Sequence, residues 1–188
     1  MSDEIIKNLG PLAALAGTWE GDKGIDIARI KSKETETKFR ERCVFEPLGP
    51  VNNGPQALYG LRYSMTAWRP GEGEGEGEAF HEEVGYWLWD GDRKQVLRCF
   101  MVPRGVLINA GGNAEANSTG FHLEAEAGSE TYGILSNPYL DETYKTKKYI
   151  LDVDIQDGQF SYKENTQLWI PINEAIFDHT DQNTLRKV

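Results

Sequence analysis

Apolar and polar residues alternate through most of the chain, in segments rich in aromatic and β-branched side chains. Such alternation is typical of β-strands that bury one face. Short strands at regular spacing favour an antiparallel sandwich or barrel over a parallel sheet. The strands that the pattern predicts are residues 35–46, 57–68, 80–89, 95–102, 106–110, 119–127, 130–135, 142–155 and 159–170.

Turn-forming residues separate several of these strands. Pro103-Arg104-Gly105 follows the strand at 95–102 and predicts a compact turn. Gly128-Ser129 indicates a second hairpin turn. Asp157-Gly158 is the strongest of the three signals, because Asp-Gly suits the tight two-residue turns of β-hairpins. We predict an antiparallel hairpin across each turn.

Helical periodicity is confined to two short segments. Residues 2–16 can form one or two helical turns, with a break at Gly10-Pro11. Residues 171–176 can form another, since proline at position 171 suits a first helical turn. We therefore expect short helical plugs at 3–16 and 171–176 in an otherwise all-β chain.

The composition indicates one domain, residues 1–188, whose partners are small molecules. The net charge of −10 argues against binding to nucleic acid or to an anionic membrane surface. No apolar run approaches the ~18 residues of a membrane span, and the start lacks a secretory signal, so we expect a cytoplasmic protein. We expect Cys43 and Cys99 to be buried, reduced thiols. The GEGEGEGE segment at 71–78 predicts a mobile loop.

The candidate chemistry lies in three scattered histidines, His81, His122 and His179. Their spacing does not fit a zinc motif. Alternation places His122 on the face opposite Phe121 and Leu123, which predicts exposure to solvent. The chain contains no G-x-S-x-G nucleophile elbow, and neither cysteine has an activating context, so a catalytic triad is not expected.

Motifs at both ends of the chain resemble the nitrobindin family, haem-binding β-barrels of the calycin group. The GTWEG sequence at 17–21 matches the family's first strand, and Asp178-His179 matches the position of its axial haem ligand. Weaker similarities lie between the two ends. They are HEEVGYW at 81–87, PRGVLI at 103–108 and DGQFSYKENTQL at 157–168.

The resemblance implies an antiparallel, up-and-down, fatty-acid-binding-protein-like barrel of about ten strands. Trp19 would plug one end of the barrel, and its strand would pair with one near the C-terminus. His179 would be the axial ligand of a haem b iron, and the ferric haem would bind nitric oxide or act as a peroxynitrite isomerase. His81 would form hydrogen bonds with Glu82 or Glu83 instead of binding metal.

The residues themselves leave other interpretations open. Without the family resemblance, His179 is more typical of a surface histidine in a polar loop than of a metal ligand. The barrel is also compatible with a non-enzymatic carrier of a lipid-like or aromatic molecule. A third alternative is a closed barrel, packed with its own side chains, that acts as a scaffold or a homodimerising unit.

The chain departs from the family pattern between residues 22 and 30. Lys23 occupies the position of the last glycine in G-x-W-x-G-x-G, with Gly24 one place later. IDIARI at 25–30 replaces the family's Pro-Thr-Ile segment beside the haem. Lys23 and Arg29 either pair with haem propionates or lie exposed on a strand whose pocket has closed. The loss of the pocket-lining segment favours the closed pocket.

Overall fold

Eleven β-strands close into one barrel in the computed structural model, which describes residues 3–30, 33–69 and 79–188. The long alternating segments of the sequence form the strands of this barrel, as expected for strands with one buried face. The strands are β1 (Gly17–Ile30), β2 (Lys33–Asn53), β3 (Gln56–Trp68), β4 (Ala79–Asp90), β5 (Gln95–Val102), β6 (Val106–Asn113), β7 (Gly120–Ala127), β8 (Gly133–Leu135), β9 (Lys145–Gln156), β10 (Gln159–Ile170) and β11 (Ala175–Lys187).

The strand order around the barrel is β1-β11-β10-β9-β7-β8-β6-β5-β4-β3-β2, and β2 closes the ring by pairing with β1. Neighbouring strands are antiparallel except β7 and β8, which are parallel. This arrangement confirms the predicted all-β antiparallel barrel. The described residues form eleven strands instead of about ten, because the three-residue β8 lies between β6 and β7.

Two of the three predicted hairpin turns are confirmed, and one is wrong. Asp157 and Gly158 both have positive φ, at 52° and 70°, as a tight two-residue hairpin requires. The turn at 103–105 joins β5 to β6. Gly128-Ser129 does not form a hairpin, because the chain loops back and its next strand runs parallel to β7. The backbone N–H of Glu126 donates to the Tyr132 carbonyl, which holds this loop against β7.

The predicted helical segment at 3–16 is confirmed and plugs one end of the barrel. It consists of α1 (Asp3–Lys7) and a 3₁₀ helix (Gly10–Leu15), and the 3₁₀ helix contributes buried Leu12 and Leu15 to the core. Trp19 is 1% exposed, and its indole N–H donates to the Leu15 carbonyl at 2.7 Å. Trp19 pairs with Lys187 across β1 and β11, so the predicted pairing of the chain ends is also confirmed.

The remaining helices differ from the sequence prediction. The helix predicted at 171–176 is only a 3₁₀ turn, Pro171–Asn173, because β11 already begins at Ala175. The sequence analysis missed α2 (Pro138–Thr143). Its signal is Asn-Pro: the Asn137 side chain caps the helix and proline occupies the first turn.

A β-bulge accommodates the departure from the family's glycine pattern. The pairing of β1 with β2 shifts between Gly21 and Gly24. Gly24 lies against Phe39, where an added Cβ would be 2.5 Å from the ring. Gly24 therefore provides the close approach one position later than the pattern expects, and Lys23 is exposed.

Cys43 is buried, Cys99 is half-buried, and both are free thiols. The GEGEGEGE segment at 71–78 lies outside the described residues. Among the residues that the structure describes, no helix has the length and apolar character to cross a membrane.

Candidate functional site

A cavity of about 580 Å³ lies inside the barrel. Side chains from most strands line it, among them His179 and Arg29. The cavity lies within the size range of small-molecule sites. Exposed Arg69 and Arg104 line its outer end, because β3 and β5 both finish at the end of the barrel opposite Trp19. The expectation that this pocket had closed is therefore wrong.

His179 lies within β11, on the wall of this cavity, and not in a surface loop. Its side chain is 32% exposed, and its Nε2 lies 2.8 Å from Asp26 Oδ1 and 3.6 Å from Asp181 Oδ2. Asp26 and Asp181 are paired residues on β1 and β11, so the strand register brings both carboxylates to the imidazole. The preceding Asp178 is turned away and accepts hydrogen bonds from two amide side chains of β10.

These carboxylates determine the protonation of His179. Burial lowers the pKa of His179, but the hydrogen bond to Asp26 and the charge of Asp181 outweigh it, so the net pKa is raised. Burial raises the pKa of Asp181 to about 7, against the opposing effect of His179. When His179 is neutral, donation from Nε2 to Asp26 leaves the lone pair on Nδ1.

Replacing Asp26 with asparagine is expected to lower the pKa of His179. The amide keeps a hydrogen-bond acceptor near Nε2 but removes the negative charge that stabilises the imidazolium. Following the His179 ring C–H resonances by NMR as a function of pH measures this change.

The matched control is Asp178→Asn. Asp178 precedes His179 in the sequence, but its carboxylate accepts hydrogen bonds from Asn165 and Gln167 instead. This variant should move the His179 pKa much less. Equal shifts in the two variants would show that Asp26 is not the residue that holds the imidazole.

Polar side chains at the cavity form a hydrogen-bonded network around Arg98, and we call it the polar belt. It consists of Tyr63, Glu83, Arg98, Tyr149 and Glu164. Arg98 is 6% exposed and forms ion pairs with Glu83 and, at 3.0 Å, with Glu164. Tyr149 donates to Glu164 at 2.6 Å, and Tyr63 donates to Glu83 at 3.0 Å. The buried guanidinium is thus balanced by two carboxylates.

The charge of Arg98 is reflected in the titration of Glu83. Burial alone would raise the pKa of Glu83, but Arg98 and hydrogen bonds from His81 and Tyr63 lower it to about 2. The Nε2 of His81 lies 3.3 Å from Glu83 Oε1. This contact agrees with the prediction that His81 forms hydrogen bonds with a neighbouring glutamate.

Glu41 differs from Glu83 because its assigned contacts include no cationic partner. It is 2% exposed and lines the cavity, where Asn183 donates to it at 2.8 Å and Tyr162 at 3.1 Å. Gly21 leaves room for the Asn183 side chain beside Glu41, since a Cβ at position 21 would lie 3.0 Å from the Asn183 amide nitrogen. Burial raises the pKa of Glu41 to about 7, although both hydrogen bonds oppose the shift.

Glu41→Gln is expected to stabilise the protein above pH 7. Between pH 4.5 and about 7 the folded state retains a proton that the unfolded state has lost, so stability falls as the pH rises. The raised pKa of Glu41 corresponds to a loss of about 3 kcal/mol in the free energy of unfolding once the pH is above 7. Glutamine carries no charge, its amide oxygen can accept from Asn183, and its amide N–H can donate to the Tyr162 hydroxyl oxygen. Urea unfolding at pH 5 and pH 8.5 should show the gain only at the higher pH, and an equal gain at both would contradict this account.

His122 is exposed, as predicted, and lies between two surface carboxylates, Asp152 and Glu124. Phe121 and Leu123 on either side of it are buried. His122 is absent from the cavity lining. The structure therefore brings His81 and His179 to the cavity and leaves His122 outside it.

The sequence analysis missed the charged residues inside the barrel. Their signal is the strand period of two: Glu41 shares a face with Phe39 and Cys43, and Arg98 lies between Val96 and Phe100. A charged residue on an otherwise apolar face points into the core. Asp26 had no comparable signal, because β1 contains a bulge that shifts the phase of the alternation.

The fold and the site together define a closed β-barrel whose interior cavity has the size of a small-molecule site. A family model described as "THAP4-like, heme-binding beta-barrel domain" matches residues 8–187. The chain belongs to this family, which confirms the resemblance to haem-binding barrels drawn from the sequence motifs.

A solved structure shares the fold. The crystal structure of Rv2717c from M. tuberculosis superposes with a TM-score of 0.65 at 18% sequence identity, over 96% of this chain and 97% of that one. No curated protein matches the chain.

Proposed function

We propose that this protein binds haem b in the barrel cavity, with His179 as the axial ligand of the iron. The observation that carries the proposal is the half-buried imidazole on the wall of a cavity of about 580 Å³, in a family of heme-binding barrels. A carboxylate that holds one imidazole nitrogen is a common companion of metal-binding histidines, and Asp26 supplies it.

The cations at the outer part of the cavity suit the two propionates of haem. Arg29 lines the cavity, and its buried Nε has no hydrogen-bond partner among the residues that the structure describes. Its guanidinium lies 4.8 Å from the centre of the Phe177 ring, next to the strand segment that carries His179. Exposed Arg69 and Arg104 lie on the cavity lining as well. The sequence left two alternatives for Lys23 and Arg29, namely pairing with the haem propionates or exposure on the surface. The position of Arg29 on the cavity lining supports propionate pairing, whereas Lys23 is exposed.

A haem held by His179 would supply an iron able to react with nitric oxide or peroxynitrite. The protein would contribute ligation by His179 and a largely apolar cavity inside the barrel. We propose binding of nitric oxide or isomerisation of peroxynitrite as the activity of the loaded protein.

Haem affinity is expected to increase as the pH rises from 6 to 8. Only the neutral imidazole can bind iron, and the contacts with Asp26 and Asp181 keep the pKa of His179 above its ordinary value. Titrating haemin at pH 6, 7 and 8 and following the Soret band tests this. A saturable spectrum with the same affinity at all three values would argue against an imidazole ligand.

One observation favours a second candidate, a haem-free carrier of a lipid-like or aromatic molecule. Asp26 already occupies Nε2 of His179, which competes with iron for that nitrogen. A carrier would bind an apolar fluorescent probe in the cavity and show no saturable haemin spectrum. The haemin titration therefore separates the two candidates.

A further inference from the structure

The inner part of the cavity is built mainly from aromatic rings, which we call the aromatic chamber. It consists of Phe45, Tyr63, Trp87, Phe160 and Tyr162, all on the cavity lining. Contacting ring centroids within it lie 5.8 to 6.1 Å apart. Aromatic faces carry partial negative charge, so such a chamber favours both an apolar ligand body and an adjacent cation.

Glu41 is the carboxylate at the edge of this chamber, where its Oε2 accepts from Tyr162. Its neighbours on the adjoining strands are Gly21 and Ala67, so no bulky paired side chain covers it on the barrel wall. Its hydrogen-bond donors, Asn183 and Tyr162, are both neutral. The hydrogen bonds therefore satisfy its oxygens without neutralising its charge.

Among the described residues, the charged groups around Glu41 do not supply it with a cation. Glu83 and Asp181 are the charged groups that raise the pKa of Glu41, and both are acidic. Arg98 is already offset by Glu83 and Glu164. A buried carboxylate without a counter-ion gains more from an incoming cation than a surface carboxylate does, because the local dielectric is low.

We infer that the inner cavity binds an arylalkyl amine, with its apolar body in the aromatic chamber and its ammonium group on Glu41. The ammonium donates to a carboxylate that already holds two hydrogen bonds. This binding uses neither His179 nor Asp26, although it takes place in the cavity that we propose for haem.

Phenethylamine and phenethyl alcohol test the inference, since they share a body and differ in charge. Isothermal titration calorimetry of the haem-free protein at pH 7.5 should show the amine binding at least about tenfold more tightly than the alcohol. Glu41→Gln should bring the two affinities within about threefold of each other, because its amide offers no charge. The matched control is Glu126→Gln, which changes an exposed carboxylate on β7 and should leave the preference intact.

The comparison of the two probes on the parent protein does not depend on whether a variant folds. Equal affinity for the two probes, or no binding of either up to millimolar concentration, would overturn the inference. A preference for the amine that persists in a folded Glu41→Gln variant would overturn the assignment of Glu41. Because haemin is absent from these titrations, a failure to bind the amine would not contradict the haem proposal, which the haemin titration tests separately.

Discussion

Replacing His179 with alanine is expected to weaken haemin binding by more than about 100-fold. Loss of an outer partner of a metal ligand typically costs roughly 10–100-fold in metal affinity, and loss of the ligand itself costs more. The cavity and the arginines at its outer end remain in the variant, so residual binding reflects the porphyrin alone. Soret titrations of the parent and the variant measure the difference.

His122→Ala and His81→Ala are the controls for this experiment. His122 is exposed outside the cavity, and His81 is engaged with Glu83, so both variants should bind haemin as the parent does. If all three alanine variants match the parent, His179 is not the ligand. If His81→Ala alone loses binding, the ligand lies on β4 and the assignment from the C-terminal motif is wrong.

Replacing Glu83 with glutamine is expected to lower the free energy of unfolding by about 3 kcal/mol at neutral pH. Breaking a buried ion pair typically costs about 3–5 kcal/mol because it leaves the other charge uncompensated. The lower figure applies here, since Glu164 still pairs with Arg98. Urea unfolding at pH 7 measures the change.

The pH dependence distinguishes this electrostatic effect from simple loss of packing. The pKa of Glu83 is about 2 in the folded protein, so its contribution is complete above pH 4.5 and disappears as the pH falls toward 2. The difference in the free energy of unfolding between Glu83→Gln and the parent should therefore decrease in acid. Glu126→Gln serves as the exposed control, and a gap that stays constant with pH would contradict the ion-pair account.

Glu41 and Glu83 show how the same residue type on the same barrel face acquires opposite properties. Both are buried, but Arg98 compensates Glu83, whereas the assigned contacts of Glu41 are neutral donors. The two glutamine substitutions are accordingly expected to have opposite effects on stability above pH 7. This contrast depends on contacts between distant strands, and not on either local sequence.

The fold was predictable because its signals are local. The alternation of apolar residues identified most strands, and Asp157-Gly158 specified a tight turn whose backbone has the expected positive φ values. The strand count and the β7–β8 loop were less predictable. Gly128-Ser129 has the composition of a hairpin turn, but the hydrogen bond between Glu126 and Tyr132 that folds the loop back depends on residues beyond the turn.

The candidate site was predictable only in part because it is assembled from long-range pairings. The C-terminal motif pointed to His179, and the structure places that residue on the cavity wall. The partner of His179 was not predictable: Asp178 is adjacent in sequence but faces β10, whereas Asp26 arrives from β1 through the closure of the barrel. The polar belt likewise draws on β3, β4, β5, β9 and β10, and only the closed barrel brings these strands together.

The most direct test of the proposed haem site is a crystal structure of the protein after loading with haemin. We expect the porphyrin inside the barrel cavity, with an imidazole nitrogen of His179 bound to the iron. A porphyrin absent from the cavity, or an iron bound by any residue other than His179, would contradict the proposed function.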